Sequence, residues 1–251
     1  MPQSRSMPVE RLPGVVCHLL GAVDFDLCLA LQQRLVFDCT SRRDGQITIL
    51  ICEHRPTITI GRQGSRGDVH FDNDELRARQ LDIHWVNRGG GALGHAPGQL
   101  AIYPIVPLEW YGFSVGDYLA RLHSGLEAAV IEEGFSLQRR LGSSGLWGRS
   151  GRIVSIGVAV KHWVSYFGAY VNVLPYSTAL LQRIDGVSGE HSPLGCLMAE
   201  RRQPARIASL REKLVRHLSA AFGCDRYHLY TGHPLLVRPE PLPQEMSTRV
   251  G

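Results

Sequence analysis

Two side chains able to handle charge or protons, Arg88 and His95, sit in the stretch NRGGGALGHAPGQL (87–100), which carries glycines at 89, 90, 91, 94 and 98. Glycine backbone accepts positive φ and lets a ligand approach peptide N–H groups with no Cβ in the way. On that reading Arg88 holds a carboxylate or phosphate, and His95 acts on polar chemistry beside it. The plainer alternative is a glycine-rich turn between two strands. No Gly-Lys-Ser/Thr follows, so the stretch is not a phosphate loop, and it does not place a GxGxxG between strand and helix. The cysteines (Cys17, Cys28, Cys39, Cys52, Cys196, Cys224) show no CxxC pairing, which favours reduced thiols. The first four lie among apolar neighbours and read as buried structural thiols. His84, His162 and His191 lack metal-ligand spacing, so neither a metal nor a cofactor is expected.

The elements that must position these residues can be read from periodicity. LDIHWV and LAIYPIVPL, on either side of the glycine stretch, read as strands, the second pushed toward a sheet edge by Pro104 and Pro107. DFDLCLALQQRLVFDCTSRRDG has helical spacing. QITILICEH and RPTITIGRQG alternate as strands, and DNDELRARQ is a short capped helix. In SVGDYLARLHSGLEAAVIEEGF, Leu119, Leu122, Leu126, Val130 and Ile131 share a face, and Gly134 ends the helix. SGRIVSIGVAVKHWVSYFGAYVNVLP reads as a β-hairpin or meander, and PARIASLREKLVRHLSAAFG as a closing amphipathic helix. Helices interspersed with hairpin-like strand pairs imply an α/β (α+β type) domain with a mixed, largely antiparallel sheet flanked by helices. The expected organisation is an arm over 1–14, one domain over 15–230 and a proline-rich tail over 231–251.

Composition excludes several classes. With 251 residues, 44% hydrophobic and 20% charged, the chain is an ordinary globular protein able to bury a full core. A net charge of +4 with scattered basic residues lacks the continuous face that nucleic acid requires. No run approaches the roughly 18–20 apolar residues of a membrane span. The N-terminal stretch shows no secretory h-region, so a cytoplasmic location is expected.

The whole arrangement resembles the octanoyltransferase family of lipoate biosynthesis, lipoate-protein ligase B, within the biotin/lipoate protein ligase superfamily. His54, Pro56, Thr59 and Gly61 match its first segment. Arg88 to Gly90, His95 and Pro97 to Gln99 match its Arg-Gly-Gly … His-Gly-Pro-Gly-Gln segment, and GLWGRSGRIVSIGVAVKHWVSYFGAYVNV matches a third. The likeness runs from about Val15 to about Phe222. It implies a biotin/lipoate-ligase-like fold and transfer of octanoyl from acyl carrier protein to a lipoyl-domain lysine through an enzyme thioester. It also implies an acyl pocket lined by Arg88, Gly89, Gly90, Gly91, Ala92, Leu93, Gly94, His95 and Gln99, with Ser155, Ile156, Gly157, Gly168, Ala169 and Tyr170 completing it.

The family's reactive pair is replaced. Arg152 stands at the lysine position and Val187 at the cysteine position, while Phe167 replaces a histidine before Gly168. Valine offers no nucleophile, and arginine keeps charge but does not give up a proton. Cys196, nine residues beyond Val187 in a glycine- and proline-containing loop, is the candidate replacement nucleophile, and Lys161 the candidate replacement amine. Three readings follow: a transferase with another or no nucleophile, a non-catalytic acyl- or lipoyl-domain-binding relative, and an ATP-dependent lipoate-protein ligase.

Overall fold

The computed structural model describes residues 14–140, 142–175, 183–186, 193–200 and 206–236. Val187 and most of the expected arm and tail lie outside these described residues. Within them the chain runs β1 (Val15–Val23), α1 (Phe25–Arg42), β2 (Thr48–His54), β3 (Thr57–Ile60), α2 (Asn73–Ala78), β4 (Asp82–Trp85), β5 (Ala92–His95) and β6 (Gln99–Ile105). Then come α3 (Val115–Glu132), β7 (Gly145–Gly148), β8 (Gly151–Lys161), β9 (Val164–Asn172), α4 (Leu197–Glu200), α5 (Ile207–Ala221) and β10 (Tyr227–Thr231).

Seven strands form one sheet in the order β10-β1-β2-β6-β9-β8-β7, and β4-β3-β5 form a second. In the large sheet β1 runs parallel to β10 and β2, and the remaining pairs are antiparallel, as the mixed pattern predicts. Alternation along β2 sorts its side chains between two layers. Ile49 and Ile51 join the cluster under α3 and α5, with Leu122, Leu126, Leu210 and Leu214. Leu50 and Cys52 face α1 with Phe25, Cys28, Leu31 and Val36. A third, smaller cluster of Ile58, Ile60, Phe71, Leu76, Leu81 and Ala92 supports the small sheet.

Local chemistry explains the element ends. The Asp24 carboxylate accepts from the N–H groups of Asp26 and Leu27 to start α1. Ser114 and Asp117 form a reciprocal capping box on α3. His162 and Trp163 both take positive φ, 51° and 58°, which is the handedness a tight turn between β8 and β9 demands.

Three expectations are corrected. β6 is a central strand, between β2 and β9, although it contains Pro104. The proline is tolerated because pairing with β9 stops at Ile102–Ala169, and the Ser165 hydroxyl takes over by accepting from Val106 N–H at 3.0 Å and donating to Pro104 O at 2.8 Å. Gly168 makes room there, since a Cβ on it would lie 2.7 Å from the proline ring and 2.2 Å from Ile102 O. Ile131 does not share the buried face of α3 and is 58% exposed, while Tyr118, Gly125 and Ala129 take that face. Thr231, assigned to the tail, closes β10 opposite Leu19. Among the described residues no helix is long and apolar enough to cross a membrane.

Candidate functional site

The glycine stretch lies between β4 and β5, and the small sheet presents it to β8 of the large one. Its geometry is set from inside by Arg88, which is 0% exposed. The guanidinium donates to the carbonyls of Gly89 (3.1 Å), Gly91 (2.9 Å) and Thr59 (2.8 Å), and to the Thr59 hydroxyl (2.7 Å from Nη2, 3.3 Å from Nε). Arg88 is therefore turned away from any anion in the cleft. It is a buried cation neutralised by carbonyl dipoles, the arrangement that burial of a charge requires.

The glycine N–H groups are also engaged. Gly89 donates to Val158 O (2.9 Å) and Gly90 to the Gln63 side-chain oxygen (2.9 Å). Close approach explains the small residues: a Cβ on Gly157 of β8 would come within 2.6 Å of Gly89 O. The loop can lie against the strand only because both sides lack side chains there.

From Arg88 a hydrogen-bonded chain runs through the interior. The Thr59 hydroxyl accepts from Arg88, so its own proton goes to His95 Nε2 at 2.8 Å. His95 Nδ1–H then donates to Gln99 Oε1 at 2.8 Å. Gln99 Nε2 donates to Gly94 O (3.1 Å) and Asn172 Oδ1 (3.0 Å), and Asn172 Nδ2 donates to Gly195 O (3.1 Å). One donor sense satisfies every member, which assigns the His95 tautomer. His95 is 0% exposed, and burial holds its pKa well below the ordinary 6.5, with the His54 and Arg88 charges acting in the same direction. Its imidazole is neutral and buried, with both nitrogens hydrogen-bonded in the interior and neither presented to the cleft.

A cleft of about 410 Å³ opens between this loop and β8. Gly89, Gly90, Gly91, Ala92 and Leu93 form one wall, and Arg152, Ser155, Ile156, Gly157 and Val158 the other. Val115 and Leu119 of α3, with Ser143 and Ser144, close one side, and Arg62, Gln63 and Gly186 reach it from elsewhere. A much smaller void of about 10 Å³ continues inward, touched by Gly94, Gln99, Arg152, Ser155, Asn172 and Leu194. It has room for about one water.

The structure thus brings together most of the residues expected at the site and separates the rest. Gly168, Ala169 and Tyr170 do not line the cleft: Gly168 faces Pro104, Ala169 is in the core, and the Tyr170 ring packs 4.7 Å from that of His95. Phe167 is buried at positive φ (54°), its N–H donating to Gln32 at 2.8 Å. Lys161 is exposed and borders a separate groove against α1. Arg152 is buried on β8, its main chain bonded to Pro193 O and Gly195 N, and a side chain at Gly186 would meet its guanidinium at 2.8 Å. Gly186 directly precedes Val187. Cys196 is 1% exposed and is not among the described residues lining either space.

Sequence reading missed Gln63, Val115, Leu119, Ser143 and Ser144. They come from segments with no motif, so only the tertiary packing selects them. It also missed a buried group at the base of α1, where Cys28, Cys52 and His54 place their ligand atoms within 4.8 Å of one another. The alternation that puts Cys52 and His54 on one face of β2 was the available signal.

Comparisons with known proteins show the family and the fold. A family model described as the lipoyl protein ligase A/B catalytic domain matches residues 24–221. The octanoyltransferase of Syntrophotalea carbinolica is 32% identical over 207 residues, 80% of this chain and 91% of that protein. The octanoyltransferase of Porphyromonas gingivalis is 31% identical over 163 residues, which cover 61% of this chain and 33% of the longer relative. Among solved structures, a bipartite lipoate protein ligase from Thermoplasma acidophilum, described together with its E2 lipoyl domain, superposes with a TM-score of 0.66 at 13% identity over 89% of each chain. That likeness is one of fold.

Proposed function

This chain belongs to the lipoyl protein ligase A/B catalytic-domain family, and from that premise we propose that it serves protein lipoylation by seating an octanoyl chain in the glycine-loop cleft without forming an enzyme thioester. One observation carries the reading. The described lining includes Arg62 and Arg152, the inward-turned Arg88, serines, Gln63, glycine backbone and apolar side chains, but no cysteine, histidine, lysine or carboxylate. Such a lining can hold an aliphatic chain and polarise a carbonyl, yet it offers no thiolate and no general base. Leu93, Leu119, Ile156 and Val158 supply apolar surface for the tail, and the arginines Arg62 and Arg152 suit the polar head. The volume fits, since small-ligand sites occupy about 300–1,000 Å³. The partners that resemblance suggests are octanoyl-acyl carrier protein as donor and a lipoyl domain as acceptor.

The test is incubation of the full chain with octanoyl-carrier protein, followed by intact-mass and thermal measurements. The expected result is a rise in melting temperature with no octanoyl adduct on the chain, in wild type and Cys196→Ser alike. An adduct on any residue overturns the non-covalent reading, and indifference to octanoyl ligands overturns the acyl site itself.

A second reading is favoured by Arg152 lying on the cleft wall beside Ser155. In one-step transfer, the acceptor lysine amine attacks the thioester carbonyl. A C–N bond forms, the C–S bond breaks, and the carrier thiol leaves with the amine proton. Arg152 and Ser155 would steady the oxyanion. This reading expects a lipoyl domain heavier by one octanoyl group when mixed with chain and donor. No gain above the chain-free control removes it.

A further inference from the structure

The cluster under α1 uses none of the acyl cleft, and its geometry points to a second site. Cys28 comes from the inward face of α1, Cys52 and His54 from one face of β2, and Tyr103 from β6 beside them. Cys28 and Cys52 are 0% exposed and His54 is 2% exposed. The two sulfurs lie 3.9 Å apart, and Cys52 Sγ lies 3.6 Å from His54 Nε2. We propose that Cys28, Cys52 and His54 form a binding site for a thiophilic d¹⁰ cation, with zinc as its natural probe.

The distances match the edges of such a site. With Zn–S about 2.3 Å and Zn–N about 2.0–2.1 Å, tetrahedral coordination places two sulfurs about 3.8 Å apart and a sulfur and nitrogen about 3.6 Å apart. Two of the three edges are thus at ligand spacing, and the third, from Cys28 Sγ to His54 Nε2, lies within 4.8 Å.

His54 provides the independent indication. Its Nδ1 lies 3.0 Å from Val23 O, so Nδ1 carries the proton and Nε2 presents a lone pair. That lone pair faces Cys52 Sγ and the Tyr103 hydroxyl, which donates to it at 2.7 Å. An imidazole anchored to a backbone carbonyl through one nitrogen, with the other aimed at thiols, is the outer-shell arrangement of metal-bound histidine. A cation at this site would take the Nε2 lone pair in place of the Tyr103 hydroxyl, which would give up its present bond of 2.7 Å.

Charge supports the same conclusion. Two cysteine thiols and a neutral histidine take up Zn²⁺ with release of two protons to solvent, leaving a site of zero net charge. A neutral centre is compatible with its apolar surroundings of Phe25, Leu50, Ala101 and Tyr166, whereas either thiolate alone is not. Coordination would join α1 to the two central strands β2 and β6. The ring centroids of His54 and His95 lie 6.0 Å apart with the planes nearly perpendicular, so the cluster adjoins the interior hydrogen-bonded chain behind the cleft.

The test uses the reduced full-length chain titrated with Co²⁺ and then Zn²⁺. The expected result is one equivalent of Co²⁺ giving a sulfur-to-cobalt charge-transfer band, displaced by Zn²⁺. The band is lost in Cys52→Ser and His54→Gln and retained in Cys39→Ser, whose thiol lies outside the cluster. Thiol alkylation with peptide mapping needs no variant: zinc should shield Cys28 and Cys52 and leave the other cysteines unchanged. The proposal fails if the wild-type chain binds no metal, if the band survives Cys52→Ser, or if shielding maps to other cysteines. A Cys28–Cys52 disulfide in freshly purified chain, refractory to metal, also overturns it.

Discussion

The glycine-loop cleft and the hydrogen-bonded chain behind it are adjacent and opposite in character. The cleft is open, walled by peptide backbone and apolar side chains, and its described lining contains no histidine, cysteine or carboxylate. The chain from Arg88 through Thr59, His95, Gln99 and Asn172 holds the groups that look reactive in sequence, and it is closed to solvent. The difference teaches that the motif residues Arg88 and His95 shape the loop from inside, and that the loop forms a wall of the cleft. A guanidinium bonded to three carbonyls fixes backbone shape far better than it could recruit a mobile anion.

Removing Arg88 should break this division most severely. Arg88→Ala removes the guanidinium from the carbonyls of Thr59, Gly89 and Gly91, the last of which keeps Gly61 N–H, and from the Thr59 hydroxyl, for an expected loss of about 3 kcal/mol in urea unfolding. Arg88→Lys should recover little, because an ammonium cannot reproduce the fork. A loss below about 1 kcal/mol would place the loop's stability elsewhere.

Gly157→Ala tests the contact between loop and strand. Its Cβ would stand 2.6 Å from Gly89 O, so the loop must lift from β8. The expected cost is about 1–3 kcal/mol, with loss of octanoyl-dependent thermal stabilisation. Unchanged ligand stabilisation in this variant would detach the acyl site from the loop.

Acid should act on the interior rather than the cleft. His95 is neutral in the fold, whereas in the unfolded chain it binds a proton as pH falls through its ordinary value near 6.5. Folding stability is therefore full above that value and declines below it, by at most about 1.4 kcal/mol per pH unit for one histidine. His95→Gln should flatten this part of the stability–pH curve. An identical slope would show that His95 is not its source.

The smallest effect is expected from Cys196→Ser. The thiol is buried but absent from the described lining, so octanoyl-dependent stabilisation should match wild type in a thermal-shift titration. Lost ligand response would bring Cys196 back into the site.

Much of this was legible in the chain. Helix caps at Asp24, Asp72 and Ser114, the alternation of β2, and the strand pair 151–172 all depend on neighbours within a few residues, and the structure has them. Gly89 to Leu93 and Ser155 to Gly157, which the resemblance assigns to an acyl pocket, lie together on one cleft. The placement of Pro104 was not legible. A proline argues for an edge, and only Ser165 and Gly168, more than sixty residues later, make a central position tolerable. Gly168, assigned to the acyl pocket by the resemblance, instead packs against Pro104 and Ile102, a contact no local pattern announces.

By itself the sequence determined which segments are helix or strand and which side chains are apolar. These are local properties, written in period and residue type. Tertiary structure alone decided that Arg88 and His95 face inward, that α3 contributes to the cleft, and that Cys28 meets Cys52 and His54. Direction and proximity across a sheet depend on how layers pack, and that information is carried by the sum of long-range contacts rather than by any stretch of residues.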